Sequence, residues 1–132
     1  MRGHIPERDG ILNCLCLLEA VLAAGKPPSE IVRDIWNEFG EFHFERRDLH
    51  VPIAKGQQLV TAMREETPSE FCGYKVTGVH TLDGTKLTFE DESWILFRQS
   101  GTEPILRIYC EATSLAKMTT LIDAGERAAR EI

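Results

Sequence analysis

The sequence contains no apolar run that approaches the roughly 20 uncharged residues of a membrane-spanning helix. Its first residues, Met1 to Pro6, lack the apolar stretch of a secretory signal peptide. It also has no internal repeat and no low-complexity tract. We therefore expect no transmembrane helix, and we expect a cytoplasmic protein.

Cysteine and histidine are sparse and are not spaced as metal ligands. The chain has four of each, and none of the cysteines forms a Cys-x-x-Cys pair. Every cysteine lies in an apolar run, which predicts reduced, buried thiols. We expect no zinc site. The residues concerned are Cys14, Cys16, Cys72, Cys110, His4, His43, His50 and His80.

An excess of positive charge is also missing. Lysine and arginine number 15 against 21 aspartates and glutamates, so the formal net charge is -6. This balance argues against nucleic acid as the main partner, because binding to a phosphate backbone requires a basic face. A local cluster of arginines can still bind a small phosphate in such a protein.

The length of 132 residues suits one compact domain with a small appendage. Asp9 can cap a helix over residues 10–24, which Gly25 ends. This helix is apolar on nearly all sides and should therefore lie inside a structure. We place the domain boundary after residue 27, between a remnant over residues 1–27 and a domain over residues 28–132.

The pattern after residue 27 predicts alternating helices and strands, which are listed here. We expect a helix capped by Ser29 that ends at Phe39, a strand over 41–45, a solvated charged triplet Arg46-Arg47-Asp48, a helix over 54–66, strands over 74–82, 86–89, 94–99 and from 105 onward, and a closing helix capped by Ser114. This order predicts an α+β fold whose mostly antiparallel sheet is covered by helices on one face. Because Trp94, Leu96, Ile95 and Phe97 make both faces of the strand over 94–99 mostly apolar, that strand should lie at the centre of the sheet.

The segment from Arg98 to Tyr109 contains the groups that an anion requires. Ser100 and Thr102 offer hydroxyl donors, and Gly101 permits a left-handed kink that would let backbone N–H groups converge. If residues 100–105 form a symmetric hairpin loop, Arg98 and Arg107 lie directly opposite each other. Their guanidinium groups suit paired phosphate oxygens. Residue types alone leave an alternative, an ordinary hairpin whose arginines pair with Glu103 and Glu111.

The same segment resembles the phosphate-binding loop of the α-D-phosphohexomutase family, the phosphoglucomutases and phosphomannomutases. The shared letters are Arg-x-Ser-Gly-Thr-Glu-Pro followed by Arg-x-Tyr, which this chain carries from Arg98 to Tyr109. The resemblance implies the fold of the family's fourth domain, which is similar to the TATA-box-binding protein. It also implies that the phosphate of a hexose phosphate contacts Arg98, Ser100, Gly101, Thr102 and Arg107.

The resemblance extends to the start of the chain. Residues 4–10 are similar to the segment that follows the family's sugar-binding loop, and the helix over 10–24 would then close the third domain. Arg8 falls where some phosphoglucomutases have a lysine that contacts substrate, and a surface ion pair with Glu7 or Asp9 is an equally simple interpretation.

What the resemblance implies about activity is the interconversion of hexose 1-phosphate and 6-phosphate by an isomerase of carbohydrate metabolism. The family uses a phosphoserine, magnesium and a hexose 1,6-bisphosphate activator. This sequence has neither an Asp-Gly-Asp-x-Asp run nor a Thr-Ala-Ser-His-like loop. We therefore expect the chain alone to be inactive, with no catalytic residue, no metal site and no cofactor of its own.

The resemblance indicates the class of substrate and partner but not the individual hexose. The clamp is common to glucose, mannose and glucosamine phosphates, so it does not identify the hexose. The other domains of a parent enzyme are expected partners, and the apolar helix over 10–24 predicts self-association. A free-standing anion-binding module and a protein-interaction module remain alternatives.

Overall fold

The structure is a computed structural model that describes residues 8–132. Residues 1–7, and with them most of the segment over residues 4–10 that carries the resemblance, therefore lie outside the described residues. The chain divides into two compact units, one that ends at Gly40 and one over Glu41–Ile132. The boundary placed after residue 27 concerns the domains of a parent enzyme and stays a prediction.

The first unit begins with helix α1, Gly10–Ala24, as predicted. The Asp9 side chain accepts a hydrogen bond from the Leu12 N–H at 2.9 Å, and Gly25 ends the helix in the left-handed conformation. Within α1, which lies wholly in the described part of the chain, no residue is buried. Five large apolar side chains of α1 are more than half exposed, namely Ile11, Leu15, Leu17, Leu18 and Leu22.

Helix α2 covers Pro28–Phe39 and corrects one prediction. Pro27 is its capping residue, and no side chain caps the helix, so the cap predicted at Ser29 is wrong. The reason is that proline at the first helical position has a φ angle already suited to a helix and no N–H to satisfy. Among residues 8–132 no single helix could span a membrane; α1 and α2 reach the required length and composition only as a pair bent by 83°.

The second unit is a six-stranded sheet with two helices. Its elements are β1 (His43–His50), α3 (Ile53–Glu65), β2 (Glu70–Phe71), β3 (Tyr74–His80), β4 (Thr85–Phe89), β5 (Trp94–Gln99), β6 (Ile105–Ala112) and α4 (Leu115–Arg130). The strand order is β1-β6-β5-β4-β3-β2, and all neighbours are antiparallel. The predicted α+β class is confirmed. The two-residue strand β2 was missed because it is too short to show alternation.

Strand β1 is longer than predicted and contains the charged triplet. Arg47 points toward α4, where its Nη1 lies 2.7 Å from Asp123 Oδ1 and 2.8 Å from Glu126 Oε2. Arg46 pairs with Asp48 on the opposite side of the strand. The prediction of a solvated triplet therefore holds for Arg46 and Asp48, which are exposed, and is wrong for Arg47, because alternation along a strand sends neighbouring side chains to opposite faces.

The core lies between the sheet and helices α3 and α4. We call this side of the sheet the covered face. It includes six fully buried residues of β5 and β6, namely Ile95, Phe97, Leu106, Ile108, Cys110 and Ala112. On α4, Leu121, Ile122 and Gly125 are buried, whereas Leu115 is 59% exposed.

The other side, which we call the open face, carries Trp94, Leu96, Arg98, Arg107, Tyr109 and Glu111. These residues are only partly buried. Strand β5 therefore lies inside the sheet, as predicted, although only one of its two apolar faces is buried. Trp94 tolerates partial exposure because its Nε1 donates to Glu111 Oε1 at 3.0 Å and the Lys86 ammonium lies 3.9 Å from its ring centroid.

The cysteines also differ from expectation. Only Cys110 is buried, and burial raises the pKa of its thiol to about 12. Cys14 and Cys72 are exposed, so their apolar neighbours in sequence did not indicate burial. For Cys14 the reason is that α1 buries none of its faces in the structure.

Two glycines near the β5 strand differ in what they require. Gly84, in the β3–β4 turn, has φ +94, and a Cβ there would lie 2.3 Å from Phe97 O. Gly101 is not among the described residues with positive φ, and a Cβ there would have no atom within 4 Å. The left-handed kink predicted at Gly101 is therefore wrong, because the β5–β6 loop reverses without it.

Gly125 should be a packing position for which only a very small residue is suitable. A Cβ there would lie 2.8 Å from Ile95 Cδ1 and 3.2 Å from Ile108 Cγ2. We expect Gly125→Val to lower the free energy of unfolding by about 1–3 kcal/mol through overpacking. Exposed Ala116→Val on the same helix should cost at most about 0.7 kcal/mol. Urea unfolding measures both, and equal losses would contradict the packing argument.

The two loop glycines should respond in opposite directions to alanine. Gly84→Ala should lower the free energy of unfolding by about 1–3 kcal/mol, because alanine is strained at this φ. Gly101→Ala should leave it unchanged or raise it by about 0.4–1 kcal/mol through lower entropy of the unfolded chain. Thermal unfolding of the two variants tests this, and a large loss for Gly101→Ala would show that the loop does need a left-handed residue.

Candidate functional site

The candidate site is built on the hairpin loop between β5 and β6, residues 100–104, which we call the β5–β6 loop. The Ser100 N–H donates to Ile105 O at 2.9 Å and closes the hairpin. The Ile105 N–H donates to Glu103 O at 2.7 Å, and Pro104 O accepts from the Val51 N–H at 3.0 Å. The loop is therefore held at its base and is also tied to the connection between β1 and α3.

Arg98 and Arg107 lie directly opposite each other at the base of this loop. Both belong to the open face, because the neighbouring pair Phe97 and Ile108 points into the core. The Arg98 side chain is 37% exposed and that of Arg107 is 21% exposed. Side chains directly opposite in an antiparallel pair have Cβ atoms about 4.5–5.5 Å apart. The two side chains therefore start from neighbouring positions on the open face, and their guanidinium groups reach toward different carboxylates, that of Arg98 toward Asp83 and that of Arg107 toward Asp48 and Glu103.

The loop itself presents hydrogen-bond donors to solvent. Gly101 and Thr102 are exposed, and within residues 8–132 their N–H groups donate to no protein acceptor. Ser100 is 6% exposed, and its Oγ accepts from the Glu103 N–H at 3.3 Å, which leaves the hydroxyl hydrogen able to donate. The loop therefore offers two exposed backbone N–H groups and the hydroxyls of Ser100 and Thr102, and the two arginines stand at its base.

Both arginines form ion pairs with carboxylates. Arg98 Nε donates to Asp83 Oδ1 at 2.8 Å, and this bond, together with a hydrogen bond that the Tyr109 hydroxyl oxygen accepts, raises the pKa of Arg98. Arg107 Nη2 donates to Glu103 Oε2 at 3.3 Å. The alternative in which Glu103 pairs with an arginine is thus present, but Glu111 instead accepts from Trp94.

Arg107 has one further acidic neighbour, Asp48 on β1. Arg107 Nε lies 4.0 Å from Asp48 Oδ2, and this buried nitrogen has no hydrogen-bond partner. The Arg46 hydrogen bond lowers the pKa of Asp48, and the charge of Arg107 adds to that effect. Reasoning from sequence missed both Asp48 and Asp83. In the sequence, Asp48 is one residue of a charged triplet and Asp83 is part of an Asp-Gly turn.

Two other sequence expectations concern groups away from the loop. Arg8 is exposed in the compact unit that ends at Gly40, and its contact with substrate stays a prediction. In the part of the chain that the structure describes, no three His, Cys, Asp or Glu side chains come together as metal ligands. These residues therefore do not fit a magnesium ion.

The chain is similar to known proteins in both sequence and structure. Residues 52–127 match the family described as phosphoglucomutase/phosphomannomutase, C-terminal domain. A phosphoglucomutase/phosphomannomutase of Thermococcus kodakarensis is 33% identical over 89% of this chain and 24% of its own length. A probable phosphoglucosamine mutase of Pyrococcus abyssi is 41% identical over 93% of this chain and 25% of its own length.

The fold has counterparts among solved structures. The open form of the Paramecium phosphoprotein pp63/parafusin, a phosphoglucomutase, superposes with a TM-score of 0.65 and 23% identity. The superposition covers 97% of this chain and 28% of the parafusin chain. The chain spans about a quarter of the length of the curated relatives it matches. With more than half of its residues matched to that family, the chain belongs to the phosphoglucomutase/phosphomannomutase C-terminal domain family.

Proposed function

We propose that the β5–β6 loop, Arg98 and Arg107 bind the non-reacting phosphate of a hexose phosphate. The chain would supply this clamp to a phosphohexomutase that interconverts hexose 1-phosphate and 6-phosphate through a phosphoserine. The contacts assigned by this proposal come from Arg98, Ser100, Gly101, Thr102 and Arg107.

The observation that carries the proposal is the pairing of Arg98 with Arg107 at the base of the loop. Each guanidinium can donate two parallel hydrogen bonds to a phosphate. The exposed N–H groups of Gly101 and Thr102 add donors that need not be taken from another partner. A ligand with two negative charges would relieve the repulsion between the arginines.

The glutamate in the loop is compatible with this role. Glu103 is 55% exposed, so its ion pair with Arg107 is weakened by solvent. A phosphate dianion carries more charge and more acceptor oxygens than the Glu103 carboxylate. The phosphate would therefore displace Glu103 from Arg107 and leave it in water.

The clamp would act by position and would not take part in the chemistry. Binding energy from a remote phosphate orients the reacting end of the sugar toward the phosphoserine. Magnesium and the bisphosphate activator would belong to the proposed parent enzyme. We expect this chain alone to be inactive, and we expect the parent enzyme to be cytoplasmic.

The hexose remains open among glucose, mannose and glucosamine. The relatives named above include a phosphoglucomutase/phosphomannomutase and a probable phosphoglucosamine mutase. All of their substrates carry a phosphate that this clamp can hold. Choice among sugars would depend on groups that contact the ring, with Arg8 as one proposed contact.

Titration of the chain with glucose 6-phosphate tests the proposal. The amide resonances of Gly101 and Thr102 should shift, with a dissociation constant of about 1 mM, equivalent to about 4 kcal/mol of binding. Arg107→Ala should weaken binding by at least about tenfold, because a hydrogen bond to a charged group contributes about 1.5–3 kcal/mol. The same change in a full-length parent enzyme should raise its Michaelis constant.

Arg130→Ala is the matched control, since Arg130 is an exposed arginine of α4 that pairs with Glu126. It should leave binding unchanged. Unlabelled glucose without phosphate should shift neither loop resonance. If Arg107→Ala binds glucose 6-phosphate as the unmodified chain does, the clamp is wrong and a protein-interaction module becomes the better interpretation.

We also expect the chain to self-associate in solution through α1. The five exposed apolar side chains of this helix favour a covering surface, which a second copy could supply. Sedimentation equilibrium should give twice the mass of one chain, and Leu18→Glu should shift that mass toward the monomer. A monomeric mass for the unmodified chain would contradict this expectation and would favour a free-standing module.

A further inference from the structure

Gln99 lies between two residues of the proposed clamp, Arg98 and Ser100, but its side chain points the other way. Its Nε2 donates to Ser100 O at 3.0 Å and to Glu103 O at 3.2 Å. Both acceptors are backbone carbonyls of the β5–β6 loop. One amide group therefore joins the first residue of the loop to its fourth from the covered side.

Helix α3 leaves space for this side chain at one position. Gly56 is buried in the interior of α3, and a Cβ on it would lie 1.7 Å from Gln99 Oε1 and 2.8 Å from Gln99 Cδ. Any other residue at position 56 would force the Gln99 amide to move. Glycine is a poor residue for a helix interior, so its presence here needs a reason in packing.

The orientation of the Gln99 amide follows from its neighbours. Both hydrogen bonds require the NH₂ group to face the two loop carbonyls. Gln99 Oε1 is then directed toward α3, where it is buried and accepts no hydrogen bond. A buried acceptor without a partner is costly, so the arrangement must be held by the two bonds to the loop and by the packing against Gly56.

We infer that Gln99 is a positioning residue for the β5–β6 loop. Gly56, which has no side chain, leaves the space that the Gln99 amide occupies. By joining Ser100 O to Glu103 O, Gln99 sets how the intervening N–H groups of Gly101 and Thr102 face a ligand. Packing of α3 on the sheet then controls the shape of the loop on the opposite side. The inference rests on the proposed function, because the ligand it assumes is the phosphate of that proposal.

A double-mutant cycle tests the inference. Gln99→Ala should weaken binding of inorganic phosphate by about tenfold, the size expected for two lost hydrogen bonds. Gly56→Ala should weaken it similarly by displacing the Gln99 amide. Gly56→Ala added to Gln99→Ala should have no further effect, because the atoms that clash are then gone. Gly10→Ala, with no atom within 4 Å of its Cβ, is the control for glycine replacement.

Amide hydrogen exchange provides a readout that does not need a ligand. Without phosphate, Gln99→Ala and Gly56→Ala should speed exchange at the Ser100 and Ile105 N–H groups, which donate within the hairpin. Exchange of the buried α4 residue Leu121 should stay unchanged, which separates a local change in the loop from global destabilisation. Gln99→Met keeps the volume, removes the donors and should reproduce the faster exchange if the alanine variant folds poorly.

The outcomes separate the two proposals. If the unmodified chain does not bind phosphate but the exchange results hold, the proposed function fails and the role of Gln99 in shaping the loop stands. If phosphate binds but Gln99→Ala binds it equally well, the inference is overturned and the clamp stands. Additive effects of the two substitutions would also overturn it, since they would show that Gly56 does not act through Gln99.

Discussion

The antiparallel pairing of β5 with β6 is the constraint on which the rest of the second unit depends. Phe97 and Ile108 are opposite each other and fully buried, so the neighbouring pair on the open face must be Arg98 and Arg107. A slip of one residue would carry a guanidinium group into the core, which is prohibitively costly. Burial of apolar side chains on one face therefore decides where the positive charge stands on the other.

Carboxylates from separate segments of the fold compensate the positive charges of Arg98 and Arg107. Asp83 comes from the β3–β4 turn, Glu103 from the loop and Asp48 from β1. These ion pairs are partly exposed, so each contributes little and can be exchanged for a ligand. In the proposed clamp, ordered ion pairs would hold the two arginines before a ligand arrives, so less entropy would be lost when it binds.

Local signals in the sequence predicted much of this arrangement. Asp9 and Gly25 mark the ends of α1, and Ser114 caps α4, because capping depends on residues within one turn of a helix. Residues 105–112 alternate between buried and partly buried positions, as the strand expected from residue 105 onward should. The two arginines could be placed opposite each other because a hairpin register depends only on the length of its loop.

Tertiary structure decided what joins distant parts of the chain. Arg47 reads as a surface residue in a charged triplet, yet it pairs with Asp123 and Glu126 on α4, far away in sequence. The contact between Gln99 and Gly56 likewise exists only because α3 packs against β5. The sequence by itself determined both ends of α1, the start of α4 and the pairing of Arg98 with Arg107, since these depend on near neighbours. The packing of helices and strands decided which charged residues pair and which face of the sheet is left uncovered. This packing joins residues that are distant in sequence, so local sequence patterns do not indicate it.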